Sequence, residues 1–271
     1  MNLPQRPKLM AHMVAGYPDW ERSFEVARAL ADGGASYIEV QLPFSDPSAD
    51  GPAIQEACSR ALDRGITLDE GFRLVKAIRE RIGTEVFLMS YAGPVFSRGV
   101  DRFVARAAEL GVTGLIVPDL PFDHDEGLYE AARVRGVAPV PVAVVTLPEE
   151  RIEQILALEP PFLYASLRRG ITGDMTSIGE ENIRFLHRFL DRPTEVMGGF
   201  GISEASQIEA LAGHLHTVVV GSALVRIVTA AAEAGRDPYL PLYQKVTELT
   251  GAESAPLEGS PPPDPAPDDP S

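Results

Sequence analysis

Cysteine occurs once in the 271 residues, at Cys58. A single thiol rules out an intrachain disulfide and fits a reducing, cytoplasmic setting. Cys58 lies in the helix-like run from Ile54 to Leu62 and reads as a packing residue rather than a nucleophile. Long apolar runs are missing too. None reaches the ~18 residues of a membrane-spanning helix, and Met1 to Pro7 holds no signal-peptide core. Cations are scarce: 24 Lys and Arg stand against 39 Asp and Glu, a formal net charge of −15. That balance argues against nucleic acid or an anionic membrane as partner. The lysines, Lys8, Lys76 and Lys245, sit at no strand end, so an imine-forming aldolase lacks its amine. No Gly-x-Gly-x-x-Gly follows the first strand, which counts against an open dinucleotide-binding sheet.

What the chain does have is ordinary apolar content, 45%, arranged as short strands alternating with amphipathic helices. Strands are expected at Leu9–Val14, Tyr37–Gln41, Val86–Ser90, Gly114–Val117, Ala138–Val142, Phe162–Ala165, Glu195–Met197 and Thr217–Val220. Helix patterns run over Trp20–Asp32, Ala53–Arg64, Leu68–Ile82, Val100–Leu110, Asp125–Arg135, Glu149–Leu158, Glu180–Leu190, Ser203–Leu211, Ala223–Ala234 and Tyr239–Leu249. Strands apolar on both faces and separated by helices imply a parallel sheet covered by helices. Eight of them predict an α/β fold, a closed (β/α)8 TIM barrel with extra helices, over residues 1–250. A doubly wound open sheet is the rival. Residues 251–271 differ in kind: seven are proline and five are acidic, with no Lys or Arg. This Pro- and Asp-rich tail is expected to be disordered, because it cannot bury enough apolar surface to offset its ordering entropy.

In such a barrel, chemistry sits where strands end on the C-terminal face. Glu39 lies near the end of the second strand among Ile38, Val40, Leu42 and Phe44. An apolar setting suits a carboxyl group that gives and takes protons. The competing reading is a carboxylate satisfied by an Arg or Lys inside the barrel. Asp50 precedes Gly51-Pro52, where it is either a second functional acid or the N-cap of the next helix. Asp46, in Phe44-Ser45-Asp46-Pro47, reads as a loop organiser. Two late glycine signals, Gly198-Gly199-Phe200-Gly201 and Val220-Gly221-Ser222, follow strands seven and eight and open helices. Close backbone approach and helix N-terminal N–H groups make these loops a phosphate cradle. The sixth loop, Leu167 to Ser177, is rich in Gly, Thr and Ser and has the composition of a mobile lid or a plain surface loop.

Taken together, these segments resemble the tryptophan synthase α subunit family, from about Leu9 to Leu249. The most specific match is Glu39 with Pro43-Phe44-Ser45-Asp46-Pro47, Ala49-Asp50-Gly51-Pro52 and Ile54-Gln55. Weaker support comes from Ala15-Gly16-Tyr17-Pro18, Tyr91 with Pro94-Val95-Phe96, Pro118-Asp119-Leu120-Pro121, Arg168-x-Gly170-Ile171-Thr172-Gly173 and Gly199-Phe200-Gly201-Ile202. The resemblance implies a carbon–carbon lyase that cleaves indole-3-glycerol phosphate to indole and glyceraldehyde 3-phosphate, without metal or organic cofactor. It implies Glu39 as the acid–base group and Asp50 as acceptor of the indole N–H. Tyr164, Thr172, His12 and Tyr91 would contact substrate, and Gly173, Gly201, Gly221 and Ser222 would hold phosphate. A tryptophan synthase β subunit is the implied partner. A catalytically lapsed barrel and another phosphate-binding barrel enzyme are the alternatives.

The sequence also departs from the family pattern. His12 stands where the family usually has a phenylalanine, and Val14 where Thr is common. Gln41 replaces the glycine after Glu39, and Gly93 replaces an asparagine on the face that meets the β subunit. Ala165-Ser166-Leu167 also differs from the usual run before the lid arginine. These changes raise a second expectation: a stand-alone relative that releases free indole for specialised metabolism.

Overall fold

The expected strands become the staves of a barrel because they offer apolar side chains to both faces. In the computed structural model, which describes residues 3–167, 178–190, 192–199 and 201–252, they are β1 (Lys8–Val14), β2 (Tyr37–Gln41), β3 (Glu85–Met89), β4 (Gly114–Ile116), β5 (Ala138–Val140), β6 (Val142–Val144), β7 (Phe162–Ser166), β8 (Glu195–Gly199) and β9 (Thr217–Val220). All pair in parallel, in the order β5-β4-β3-β2-β1-β9-β8-β7-β6. One expected strand, Ala138–Val142, is two. Pro141 has no N–H to give a ladder, and the chain breaks there. β5 pairs with β4, and β6 pairs with β7. The Pro141 carbonyl meanwhile accepts the Tyr164 amide at 2.9 Å. One kinked stave thus serves both neighbours, and the ring nearly closes. Residues 168–177 of the loop expected as a lid, and the tail from 253, lie outside the described residues.

Around the barrel run α1 (Trp20–Asp32), α2 (Pro52–Asp63), α3 (Leu68–Ala77, extended by a π-helical turn, Ile78–Ile82), α4 (Ala92–Arg98), α5 (Val100–Glu109), α6 (Leu128–Val134), α7 (Glu149–Ala157), α8 (Glu180–His187), α9 (Ala205–Ala210), α10 (Ser222–Glu233) and α11 (Tyr239–Thr250). Local signals set their starts. Asp19 caps α1 through the Arg22 amide, and Thr67 and Glu70 cap α3 reciprocally. α6 begins three residues later than its pattern predicts, because Asp125 spends its carboxylate on the amides of Gly127 and Tyr129. α4 is not among the helices expected from sequence, and it holds Gly93 and Pro94. Both lie in the first turn, where backbone N–H groups need no helical partner. No described helix is long and apolar enough to cross a membrane.

The core has two layers. The larger one lies between staves and helices. The smaller fills the barrel, where Phe87 meets Tyr37 and Phe162 edge-to-face at 5.2 and 5.1 Å. Gly114 makes room for that plug, since a Cβ there would fall 2.7 Å from the Phe87 ring. The N-terminal mouth is sealed by Lys8, Tyr37, Glu195 and Thr217, with Lys8 Nζ 2.6 Å from the Tyr37 hydroxyl. Within the barrel, among the described residues, space for a ligand therefore lies toward the opposite, C-terminal rim.

Candidate active site

The β1–β2 register sets His12 opposite Glu39. Their side chains meet at the barrel wall, His12 Nδ1 lying 3.0 Å from Glu39 Oε2. Both are almost wholly buried, at 5% and 6% exposure. Burial alone would discharge an imidazole, but the Glu39 charge and hydrogen bond, with Asp50 beyond, outweigh it, so His12 is held above its ordinary pKa. His12, and no arginine or lysine among the described residues, is the partner that meets the Glu39 carboxyl group.

Asp50 reaches the same place from the loop after β2. That loop is folded by two successive turns, with Ser48 N–H to the Asp46 carbonyl and Asp50 N–H to the Pro47 carbonyl. Ser45 adds a hydroxyl bond to Asp46, as expected for a loop organiser. Asp50 is not the N-cap of α2. That position is Gly51, and Gln55 binds the Asp50 carbonyl instead. The Asp50 side chain turns inward, where Gln41 Nε2 and the Tyr91 hydroxyl both donate to Oδ2 at 2.7 Å. Burial raises the Asp50 pKa. His12, Tyr91 and Gln41 oppose the rise, and the Glu39 charge adds to it.

These groups surround a cavity of about 50 Å³ that opens at the rim. His12, Glu39, Asp50 and Tyr164 form its polar wall, and Ile54, Met89, Ile116, Val142 and Val219 form an apolar slot suited to a flat ring. Tyr164 is buried at 9% exposure. Burial and the charges of Glu39 and Asp50 push its phenol well above its ordinary pKa, so it stays protonated. Gly201, Gly221 and Ser222 complete the wall. Gly201 adopts φ +81°, which favours glycine. Gly221 caps α10, whose first residue is Ser222. That helix end aims N–H groups at the cavity. The seventh-strand glycines behave differently from expectation: Gly198 and Gly199 belong to β8, and α9 starts only at Ala205.

Seven sequence-predicted residues therefore share one cavity: His12, Glu39, Asp50, Tyr164, Gly201, Gly221 and Ser222. Tyr91, expected against substrate, is fully buried behind Asp50 and holds it in place. Thr172 and Gly173 lie outside the described residues. Sequence reasoning missed Gln41 as the holder of Asp50. The available signal was its i+2 spacing from Glu39, which puts both on one face of β2. Gly93 also has a local reason. A Cβ there would fall 2.9 Å from Phe44, whose ring stacks on Tyr91 at 5.5 Å.

The family model described as Tryptophan synthase alpha chain matches residues 1–252. The tryptophan synthase alpha chain of Helicobacter hepaticus is 35% identical over 84% of this chain and 88% of its own length. That of Carboxydothermus hydrogenoformans is 39% identical over 81% and 83%. Among solved structures, a chain of the tryptophan synthase complex from Pyrococcus furiosus superposes with a TM-score of 0.81 at 35% identity, covering 91% of this chain and 99% of that one. Mycobacterium tuberculosis tryptophan synthase gives a TM-score of 0.82 at 29% identity, covering 91% and 92%. The chain belongs to the tryptophan synthase alpha chain family.

Proposed function

We propose that this chain is a lyase that cleaves indole-3-glycerol phosphate by retro-aldol chemistry to indole and glyceraldehyde 3-phosphate. One observation carries the reading: Glu39 and Asp50 face a single apolar slot whose far wall ends in the Gly221–Ser222 helix terminus. The ring lies in the slot with its N–H toward Asp50, and the phosphate rests on the N–H groups at Gly201, Gly221 and Ser222, joined by Gly173. Glu39 protonates ring carbon C3. The positive charge that appears on the ring nitrogen is offset by the Asp50 carboxylate. Glu39 then takes the proton of the adjacent glycerol hydroxyl. The C–C bond breaks, its electron pair returns to the ring, and an aldehyde forms. The ring is its own electron sink, so these steps call on no cofactor. Tyr164 and Thr172 are assigned to substrate contact, and Tyr91 to holding Asp50.

Pairing with a tryptophan synthase β subunit belongs to the same proposal, supported by the complex to which the Pyrococcus furiosus relative belongs. The Gly93 change does not argue against it, because Phe44 packing accounts for that glycine. Incubating the purified chain with indole-3-glycerol phosphate, alone and with a β subunit, tests both parts. Indole should form, faster in the mixture, and Glu39→Gln should abolish it. Near-wild-type turnover by Glu39→Gln would overturn the assignment, since binding alone leaves only residual rate.

A further inference from the structure

His12 is the residue of this cavity that the proposed reaction leaves without a task. It is as deeply buried as Glu39, pairs with it in register, and touches it through Nδ1. Its other ring nitrogen, Nε2, is buried and has no hydrogen-bond partner among the described residues. A histidine placed only for packing has no reason to hold a ring nitrogen against a carboxylate while stranding the other.

Among the described residues, the charged and titratable groups around it are few. Glu39 comes from β2, Asp50 from the following loop, and the Tyr164 phenol from β7. On the α10 side, Gly221 approaches closely, a Cβ there falling 3.5 Å from that of His12, and the first turn carries no acidic residue. The turn after β1 adds the Tyr17 phenol beside a pocket otherwise lined by apolar side chains. Among the described residues, His12 is therefore the group that can carry positive charge between two buried carboxylates. With it protonated, one of the two carboxylate charges is offset, and the Asp50 carboxylate is met by the Gln41 and Tyr91 donors.

We infer that His12 is a positioning residue that shares one proton with Glu39, so that the pair, rather than the carboxyl alone, is the acid–base unit of the cleavage. The inference rests on the proposed reaction and deepens it. In the resting pair the proton sits on the imidazole and Glu39 is a carboxylate. Transfer through the Nδ1–Oε2 bond makes Glu39 the acid; it gives the proton to C3 and is left a carboxylate beside a neutral imidazole. Glu39 then accepts the hydroxyl proton as the C–C bond breaks, and that proton returns to His12. One proton enters the substrate and one leaves, so the pair ends as it began. The active form is the singly protonated pair. As pH rises the last proton is lost and the rate falls. As pH falls a second proton blocks the base.

The experiment compares wild type with His12→Asn, which keeps a side-chain donor near Glu39 but does not titrate. In the proposed role, kcat at pH 8 falls about tenfold or more, as for other proton-transfer groups. The alkaline limb of the kcat profile moves to lower pH, while KM stays within about twofold. An unchanged pH profile overturns the inference. A second readout uses the resting protein. Nitrogen-15 NMR of labelled histidine, with the His12 signal assigned by its loss in His12→Asn, should give a midpoint that drops in Glu39→Gln. Equal midpoints overturn the pairing. If wild type forms no indole, the reaction proposal fails by itself, and the NMR midpoint still decides whether the proton is shared.

Discussion

The Tyr91 hydroxyl donates to Oδ2 of Asp50 at 2.7 Å while accepting the Ala49 amide at 3.1 Å, tying the carboxylate to the backbone that carries it. Tyr91→Phe removes both bonds from a fully buried ring and strands the Ala49 N–H. A lost hydrogen bond to a charged group costs about 1.5–3 kcal/mol. That predicts a fall of about tenfold to a hundredfold in kcat/KM for indole release, in a protein that still folds. Wild-type kcat/KM in this variant would remove Tyr91 from the positioning of Asp50.

Asp50 itself should trade stability for activity. Its folded-state pKa is raised, burial being the main cause. The folded protein therefore binds that proton more tightly than the unfolded chain, and stability falls as pH rises from the ordinary carboxylate range through the folded value. Asp50→Asn removes the buried charge and keeps an acceptor for Gln41 and Tyr91. The variant should melt a few degrees above wild type at pH 7, the scale of about 1–2 kcal/mol in a domain of this size, while losing most cleavage activity. The gap in Tm should close as pH drops, because wild type then gains the same proton. A lower Tm at pH 7 would contradict the electrostatic account.

The Cys58 thiol reports on the same corner. Burial, then the nearby Asp50 charge, pushes its pKa up to about 12, and Gln41 Nε2 lies 3.3 Å from its sulfur. Only the thiolate reacts with disulfide reagents. Native protein at pH 8 should therefore show almost no colour with a chromogenic disulfide, and one thiol once unfolded. Gln41→Gly opens the space above the sulfur and should quicken the native reaction several-fold, with a matching loss of cleavage as Asp50 loses a donor. Rapid labelling of native wild type would refute the burial argument.

The barrel was legible because its signals are local. Short strands apolar on both faces, helix stretches of period 3.6, and glycines at strand ends can each be read within about ten residues. The family pattern added Glu39 and Asp50, and the shared cavity brings them together. The hidden features are long-range. Pro141 divides one stave because each half must face a different neighbour. α4 is absent from the expected helices, and its Gly93 answers to Phe44, 49 positions earlier. Tyr91 and Asp50 are 41 residues apart. Asp50 looked like a helix cap, and only the buried Gln41 and Tyr91 donors show that its side chain turns inward.

Gly199 makes the last case for close packing as the organiser of the site. It ends β8 directly behind Tyr164. A Cβ built there falls 2.5 Å from the Tyr164 hydroxyl and 3.0 Å from the Val219 Cβ. Its backbone is ordinary strand, so the constraint is space rather than a left-handed conformation. Gly199→Ala must move the phenol toward the cavity, where the substrate ring is proposed to lie. Overpacking of this kind costs about 1–3 kcal/mol, and KM should rise about tenfold with a smaller change in kcat. Removing the offending oxygen provides the control. In Gly199→Ala/Tyr164→Phe the 2.5 Å contact is gone, so the double variant should be more stable than the sum of the two single changes. Strict additivity by thermal unfolding would show that Gly199 and Tyr164 do not compete for the same volume.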